Sequence, residues 1–191
     1  MTRFTERAIM DAFFELLVEK PLDKVTVADI AQRCGINRNT FYYHYHDVYD
    51  LLESLIDSEL RKVMEASGGA DDLTWDSFIE AGTHFLSEHR AFVFHIYESS
   101  HHEILERYVD EVAALTVSRS IDRQAEGLAV DPSDRADIVT FGTIVLEGLL
   151  NRWISDGMKD DAAQYVTTLS RLFEGSFRQA LERSAARFAS E

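Results

Sequence analysis

Cysteine, proline and long apolar runs are the scarce features of this sequence. Cys34 is the only cysteine among 191 residues, which excludes an intramolecular disulfide and any Cys-based zinc cluster. The two prolines, Pro21 and Pro132, stand where helices would have to stop anyway. No apolar run approaches the ~20 residues a membrane-spanning helix needs. The start, Met1-Thr-Arg-Phe-Thr-Glu-Arg7, lacks the basic-then-apolar layout of a signal peptide, so we expect a cytoplasmic protein with no membrane partner. Also missing are a phosphate-cradling glycine loop, a G-x-S-x-G elbow, an H-E-x-x-H pair and a Cys-His nucleophile pair. The sequence therefore calls for no enzyme activity and no cofactor.

What is abundant is acid and apolar surface. Hydrophobic residues make up 46%, enough for a folded chain, and the formal charge is −15. The charge is unevenly spread. Residues 1–46 hold six basic and six acidic side chains, while the other 13 basic and 28 acidic ones lie in 47–191. A neutral head on an acidic body is compatible with a DNA-facing head, though phosphate contacts usually demand a basic surface.

Nothing alternates polar with apolar for long enough to be a strand, so the predicted class is all-α, with about nine helices. The first helix runs roughly from Thr5 to Glu19, its apolar positions Ile9, Ala12, Phe13, Leu16 and Leu17 spaced i, i+3, i+4. Thr26-Val-Ala-Asp29 starts a short helix that stops at Cys34-Gly35. Asn37 caps a second short helix through Tyr45, and Asp47 caps a longer one to about Ala66. Further helices are predicted at about 75–88, 90–98, 101–127, 134–156 and 160–188. The Ser67-Gly68-Gly69 stretch is the flexible boundary. Domains are expected at 1–46 (helix-turn-helix), 47–66 (connecting helix) and 67–191 (regulatory and dimerisation body).

Val25 to Leu52 has the parts of a helix-turn-helix: two short helices, a glycine turn, and apolar residues that set the crossing angle. Val27, Ile30, Ala31 and Cys34 form the inner face of the first helix, Gly35 makes the turn and Ile36 plugs it. Phe41 and Tyr45 point inward from the second. Asn37, Arg38, Asn39, Thr40, Tyr42, Tyr43 and His44 are left facing out or partly out, an aromatic and hydrogen-bonding face suited to phosphates and base edges. Arg38 is the candidate for reading guanine. Asn39 would pair with adenine or, like Thr40, hold a phosphate. Tyr42, Tyr43 and His44 would hold backbone phosphates, as would Lys24 and Thr26 where the first helix starts.

Val25-Thr-Val-Ala-Asp-Ile-Ala-Gln-Arg-Cys-Gly-Ile-Asn-Arg-Asn-Thr-Phe-Tyr-Tyr-His-Tyr-His-Asp-Val-Tyr-Asp-Leu-Leu52 resembles the DNA-binding segment of TetR/AcrR-type regulators over roughly residues 5–60. Thr40-Phe-Tyr-Tyr-His-Tyr45 followed by Asp50-Leu51-Leu52 is its most specific part. The resemblance implies a homodimer on a pseudo-palindromic double-stranded operator, with a variable C-terminal ligand-binding domain; most members are repressors released by a small molecule. The family usually has a lysine where this chain has Val48, which implies one phosphate contact fewer. The chain also resembles the DhaS-like subgroup, some of whose relatives sense through a protein partner, so a regulator or activator that binds a protein is the alternative.

In the body, Ile138, Phe141, Gly142, Val145, Leu146, Leu149 and Trp153 form one apolar stripe. Tyr165, Val166, Leu169, Leu172, Phe173, Phe177 and Leu181 form another. Such stripes are either intrachain core or, as the resemblance implies, the four-helix bundle of a dimer. For that interface we expect Phe141, Val145, Leu149, Tyr165, Leu169, Leu172, Phe173 and Phe177, with Gly142 and Gly148 admitting the partner helix closely. Trp75, Phe78, Phe85, Phe92, His95, Tyr97 and Tyr108, with Asn151 and Trp153, would line a pocket for an apolar or aromatic effector, or are simply core. The effector would act by tilting the helix from Asp47 to Ala66. His84, His89, His95, His101 and His102 crowd together, but no two stand at i, i+4 on one helix, so we expect no metal.

Overall fold

The computed structural model describes residues 2–66, 75–159, 168 and 175–188, with side chains described for 4–65, 80–159, 168 and 175–188. Among them are nine α-helices, one 3-10 turn and no strand. They run α1 Thr2–Glu19, the turn Leu22–Lys24, α2 Val27–Cys34, α3 Arg38–His44, α4 Val48–Ala66, α5 Trp75–Glu88, α6 Arg90–Tyr97, α7 His102–Ala125, α8 Pro132–Ser155 and α9 Ser176–Phe188. The all-α class read from the sequence is what forms.

Local chemistry fixes the first four helices. Ile9, Ala12, Phe13, Leu16 and Leu17 of α1 are all buried, and the helix stops before Pro21, whose ring cannot continue it. Thr26 caps α2 in a reciprocal box: its hydroxyl accepts from the Asp29 amide, and the Asp29 carboxylate accepts from the Thr26 amide. Gly35 ends α2 with φ of 71°, a left-handed backbone that a side chain would strain. Asn37 caps α3, and the Asp47 carboxylate accepts from the Tyr49 and Asp50 amides to start α4.

The chain forms two compact units. The first is Met1–Val63 with Phe85–Arg107, and the second is Met64–His84 with Tyr108–Glu191. The first unit holds the helix-turn-helix, most of α4, and α6. Phe92, Val93 and Ile96 of α6 are buried, and Phe92 stacks on Phe14 of α1 at 4.9 Å. In the second unit, Ala113, Val117 and Ile121 of α7 are buried, as are Gly142, Thr143 and Leu146 of α8 and Leu181 of α9. Arg178 on α9 donates to the Gln124 and Glu126 carbonyls, satisfying the C-terminal end of α7.

One predicted boundary is corrected. A single helix over 160–188 is excluded at Gly175, where φ is +77°, and α9 starts only after it. Apolar periodicity carried across that glycine in the sequence; the backbone does not.

Candidate nucleic-acid interface

The Asn37 cap places α3, and α3 sorts its side chains into two faces. Asn37 Oδ1 accepts from the Thr40 amide at 2.8 Å and from its hydroxyl at 3.1 Å, so both side chains fix the helix start while staying at the surface. Phe41 is fully buried and sets the helix against its neighbours. Burial, helped by Glu6 and Asp50, pushes the Tyr45 phenol up to about 12 and keeps it neutral. Arg38, Asn39, Tyr42 and Tyr43 are exposed, Tyr43 at 78%.

The charge balance of the head is zero in sum but not in space. Arg33 holds Glu19 at 2.7 Å and Glu15 at 3.1 Å across α1 and α2. Lys20 holds Asp29 at 2.9 Å. Lys20 and the Thr26 hydroxyl and amide draw the Asp29 carboxyl down to about 2. Asp11 faces Arg7 at 4.0 Å, Glu6 faces His44, and Asp23 accepts from Ser100. Every acid of residues 1–46 thus has a partner. Lys24 and Arg38 keep exposed side chains with no hydrogen-bond or ion-pair partner among the described residues. These two unpaired cations lie at the start of α3 and just ahead of α2, where a phosphate backbone could meet them.

His44 is a correction to the phosphate-contacting set. Its side chain is 5% exposed, and Nδ1 lies 3.4 Å from the Glu6 carboxylate on α1. An imidazole so enclosed anchors the last turn of α3 to α1 and offers no open donor. Thr26 is partly committed too, because its hydroxyl works in the α2 cap. Cys34 is half-buried, with Sγ donating to the Ile30 carbonyl at 3.0 Å, and burial pushes its thiol up. It is a packing residue, as its position on the inner face indicated.

The residues expected around an effector divide between the units. Phe85, Phe92, His95 and Tyr97 belong to the first, and Tyr108, Asn151 and Trp153 to the second. Phe92 is taken up by Phe14, and His95 Nδ1 meets the Leu17 carbonyl at 2.6 Å. Phe85 packs on His89 at 4.6 Å. Trp153 is buried. The side chains of Trp75 and Phe78 lie outside the described residues. No group of three or more metal-ligating side chains comes together among the described residues.

On α8 the apolar stripe splits in two. Leu146 and Trp153 are buried within the chain, whereas Phe141 is 63%, Ile144 61% and Val145 43% exposed. Among the described residues nothing lies within 4 Å of a Cβ built on Gly148, and Leu149 is half-buried. Gly142 does not face a partner. A Cβ there would lie 2.8 Å from Val117 Cγ1 and 3.3 Å from the half-buried Phe177 ring, so this glycine serves the chain's own packing. Tyr165, Leu169, Leu172 and Phe173 fall outside the described residues.

Beside that face stands Glu147, whose Oε1 is buried. A hydrogen bond with Asp110, burial, and the Asp110 charge together raise its carboxyl to about 7. The folded chain keeps this proton up to about pH 7, the unfolded chain only to about 4.5. Between those values the native state binds more protons, so stability falls as pH rises. Glu147→Gln should therefore stabilise the protein at pH 8 by about 1–2 kcal/mol, discounting for partial exposure, and change little at pH 4. Thermal melts at the two pH values read this directly, and an equal shift at both would contradict it.

Known proteins match this arrangement along most of the chain. A sequence model described as "Bacterial regulatory proteins, tetR family" matches residues 9–55, and one described as "Transcriptional regulator C-terminal region" matches residues 73–175. The chain is 33% identical over 79 residues to the tetracycline repressor protein class D of Escherichia coli, which is 41% of this chain and only 36% of that protein. It is 22% identical over 198 residues to the regulator AcrR of Shigella flexneri, covering 88% and 89% of the two. Among solved structures, the dihydroxyacetone kinase operon activator DhaS superposes with a TM-score of 0.74 at 16% identity, over 91% of this chain and 96% of that one. The two sequence models between them take in the exposed α3 face and more than half of the chain, so the chain belongs to the TetR family of bacterial transcriptional regulators.

Proposed function

We propose that the chain is a homodimeric cytoplasmic repressor that grips a pseudo-palindromic operator through α3 and is released by a small apolar effector held in its C-terminal unit. One observation carries the DNA part: α3 presents Arg38, Asn39, Tyr42 and Tyr43 outward, and Arg38 is tied to no acid among the described residues. Arg38 and Asn39 at the helix start would read base edges. Lys24, Thr40, Tyr42 and Tyr43 would hold phosphates, with Asn37 and Thr26 adding what their caps leave free. Effector release and the repressor role are supported by family membership.

Selection from random double-stranded DNA at low salt tests this reading. The expected product is a pseudo-palindrome with half-sites spaced by roughly one helical turn or a little more. A pool that emerges without enrichment overturns it. A second reading, a body that binds a protein in place of a small molecule, gains from one finding: Phe92 and His95 are spent on α1 and cannot also line an effector cavity. A reporter gene behind the selected operator, with and without the regulator, separates repressor from activator.

A further inference from the structure

The turn between α6 and α7 grips the helix-turn-helix from outside it. Asp23, in the middle of the Leu22–Lys24 turn, accepts from the Ser100 amide at 3.2 Å and from the Ser100 hydroxyl at 2.8 Å. Ser100 Oγ lies 3.0 Å from His101 Nδ1. A carboxylate only accepts, so the Ser100 hydroxyl must donate to it, which leaves the Ser100 oxygen to accept from His101 Nδ1–H. The three groups form one directed chain. The His101 ring then stacks on Tyr49 in the first turn of α4 at 3.8 Å and 25°. Thus residues 100–101 hold both the entry to α2 and the start of α4.

The gripping turn is itself well determined. Ser99 is buried, its hydroxyl donates to the Ile96 carbonyl at 2.7 Å and accepts from the His101 amide at 3.2 Å. His102 Nδ1 meets the Ser99 carbonyl at 3.2 Å. α7 starts at His102, and its Arg107 pairs with Glu53 of α4 at 2.6 Å.

We propose that Ser100, acting through Asp23, is a positioning residue for DNA recognition: it sets the Leu22–Lys24 turn, and so the approach of Lys24 and the α2 N-terminus to the phosphate backbone. Asp23 and Lys24 are adjacent, so a shift of the Asp23 carboxylate moves the Lys24 stem with it. The hydrogen-bonded chain also gives His101 a role that the sequence could not assign. The inference rests on the DNA-binding reading.

The test uses the full-length protein and the operator obtained by selection. Operator affinity is measured against salt for wild type, Ser100→Ala, Asp23→Asn, Lys24→Ala and the Ser100→Ala/Lys24→Ala double variant. We expect Ser100→Ala to weaken binding about 5–20-fold and to lower the salt slope by about the one phosphate contact per half-site that Lys24→Ala removes. The double variant should then lose little beyond either single change. Ser100→Thr, which keeps the hydroxyl, should restore affinity, and melts should place every variant within a few degrees of wild type. Wild-type affinity and slope in Ser100→Ala, or losses that simply multiply in the double variant, overturn the inference while leaving DNA binding standing. A wild type that binds no selected site overturns both.

Discussion

Arg38→Ala should cost the dimer about 1–3 kcal/mol per half-site on its cognate operator, roughly a 30-fold loss or more with both half-sites counted, and should flatten the preference at the bases it reads. Arg38 opens α3, is exposed, and has no partner among the described residues. A cation at a helix N-terminus is also electrostatically misplaced, by a few tenths of a kcal/mol. α3 has no acidic residue in its first turn to offset it. Folding therefore gains nothing from this guanidinium, and the alanine variant should melt no lower than wild type. Arg38→Lys separates the two uses of the charge. An ammonium recovers phosphate attraction but not the two-pronged match to guanine, so non-specific binding should return and base preference should not. Anisotropy titrations on operator and scrambled duplexes at one fixed salt concentration decide it. A loss of equal size on both duplexes would make Arg38 a phosphate contact and move base reading to Asn39.

The helix-turn-helix was legible because its determinants are local. The Thr26–Asp29 box and the Asn37 cap each act over three residues, and Gly35 acts on its own backbone, so sequence neighbours suffice to read them. What escaped acts at a distance. His44 looked like a surface donor because nothing within a helical turn of it shows that Glu6, on α1, encloses it. The links Leu17–His95 and Asp23–Ser100 join residues 78 and 77 apart and leave no periodic trace. The five crowded histidines likewise show no partner in the sequence. In the structure His89, His95 and His101 instead meet aromatic rings and a carbonyl of α1 and α4. Gly142 shows another kind of limit. A glycine inside an apolar stripe reads the same whether it admits a partner's helix or Val117 and Phe177 of its own chain. Net charge was uninformative too, since a head that sums to zero still leaves Lys24 and Arg38 exposed with no acidic partner among the described residues.

Ile144→Glu should convert the protein to monomers and remove most operator binding with them. Phe141, Ile144 and Val145 lie at i, i+3 and i+4 on α8, all exposed, with Gly148 one further turn along. An apolar ridge beside a glycine is the surface a second copy of the helix can pack against closely, and a monomer gains nothing by keeping it bare. Under twofold symmetry each substitution enters the interface twice. Two unpaired carboxylates buried in an apolar seam would cost several kcal/mol, against a dimer held by ~10 kcal/mol or so. DNA affinity falls for a separate reason. A dimer's second head binds at the effective concentration set by the first, and losing that advantage costs about 10²–10⁴-fold without any change in α3. The two glycines give the control. Gly148→Leu meets nothing among the described residues and should disturb only the dimer, whereas Gly142→Leu collides with Val117 and Phe177 and should lower the melting temperature whatever the oligomeric state. Light scattering and melts on the two variants must show those different signatures. An Ile144→Glu protein that still scatters as a dimer would place the interface on some other face.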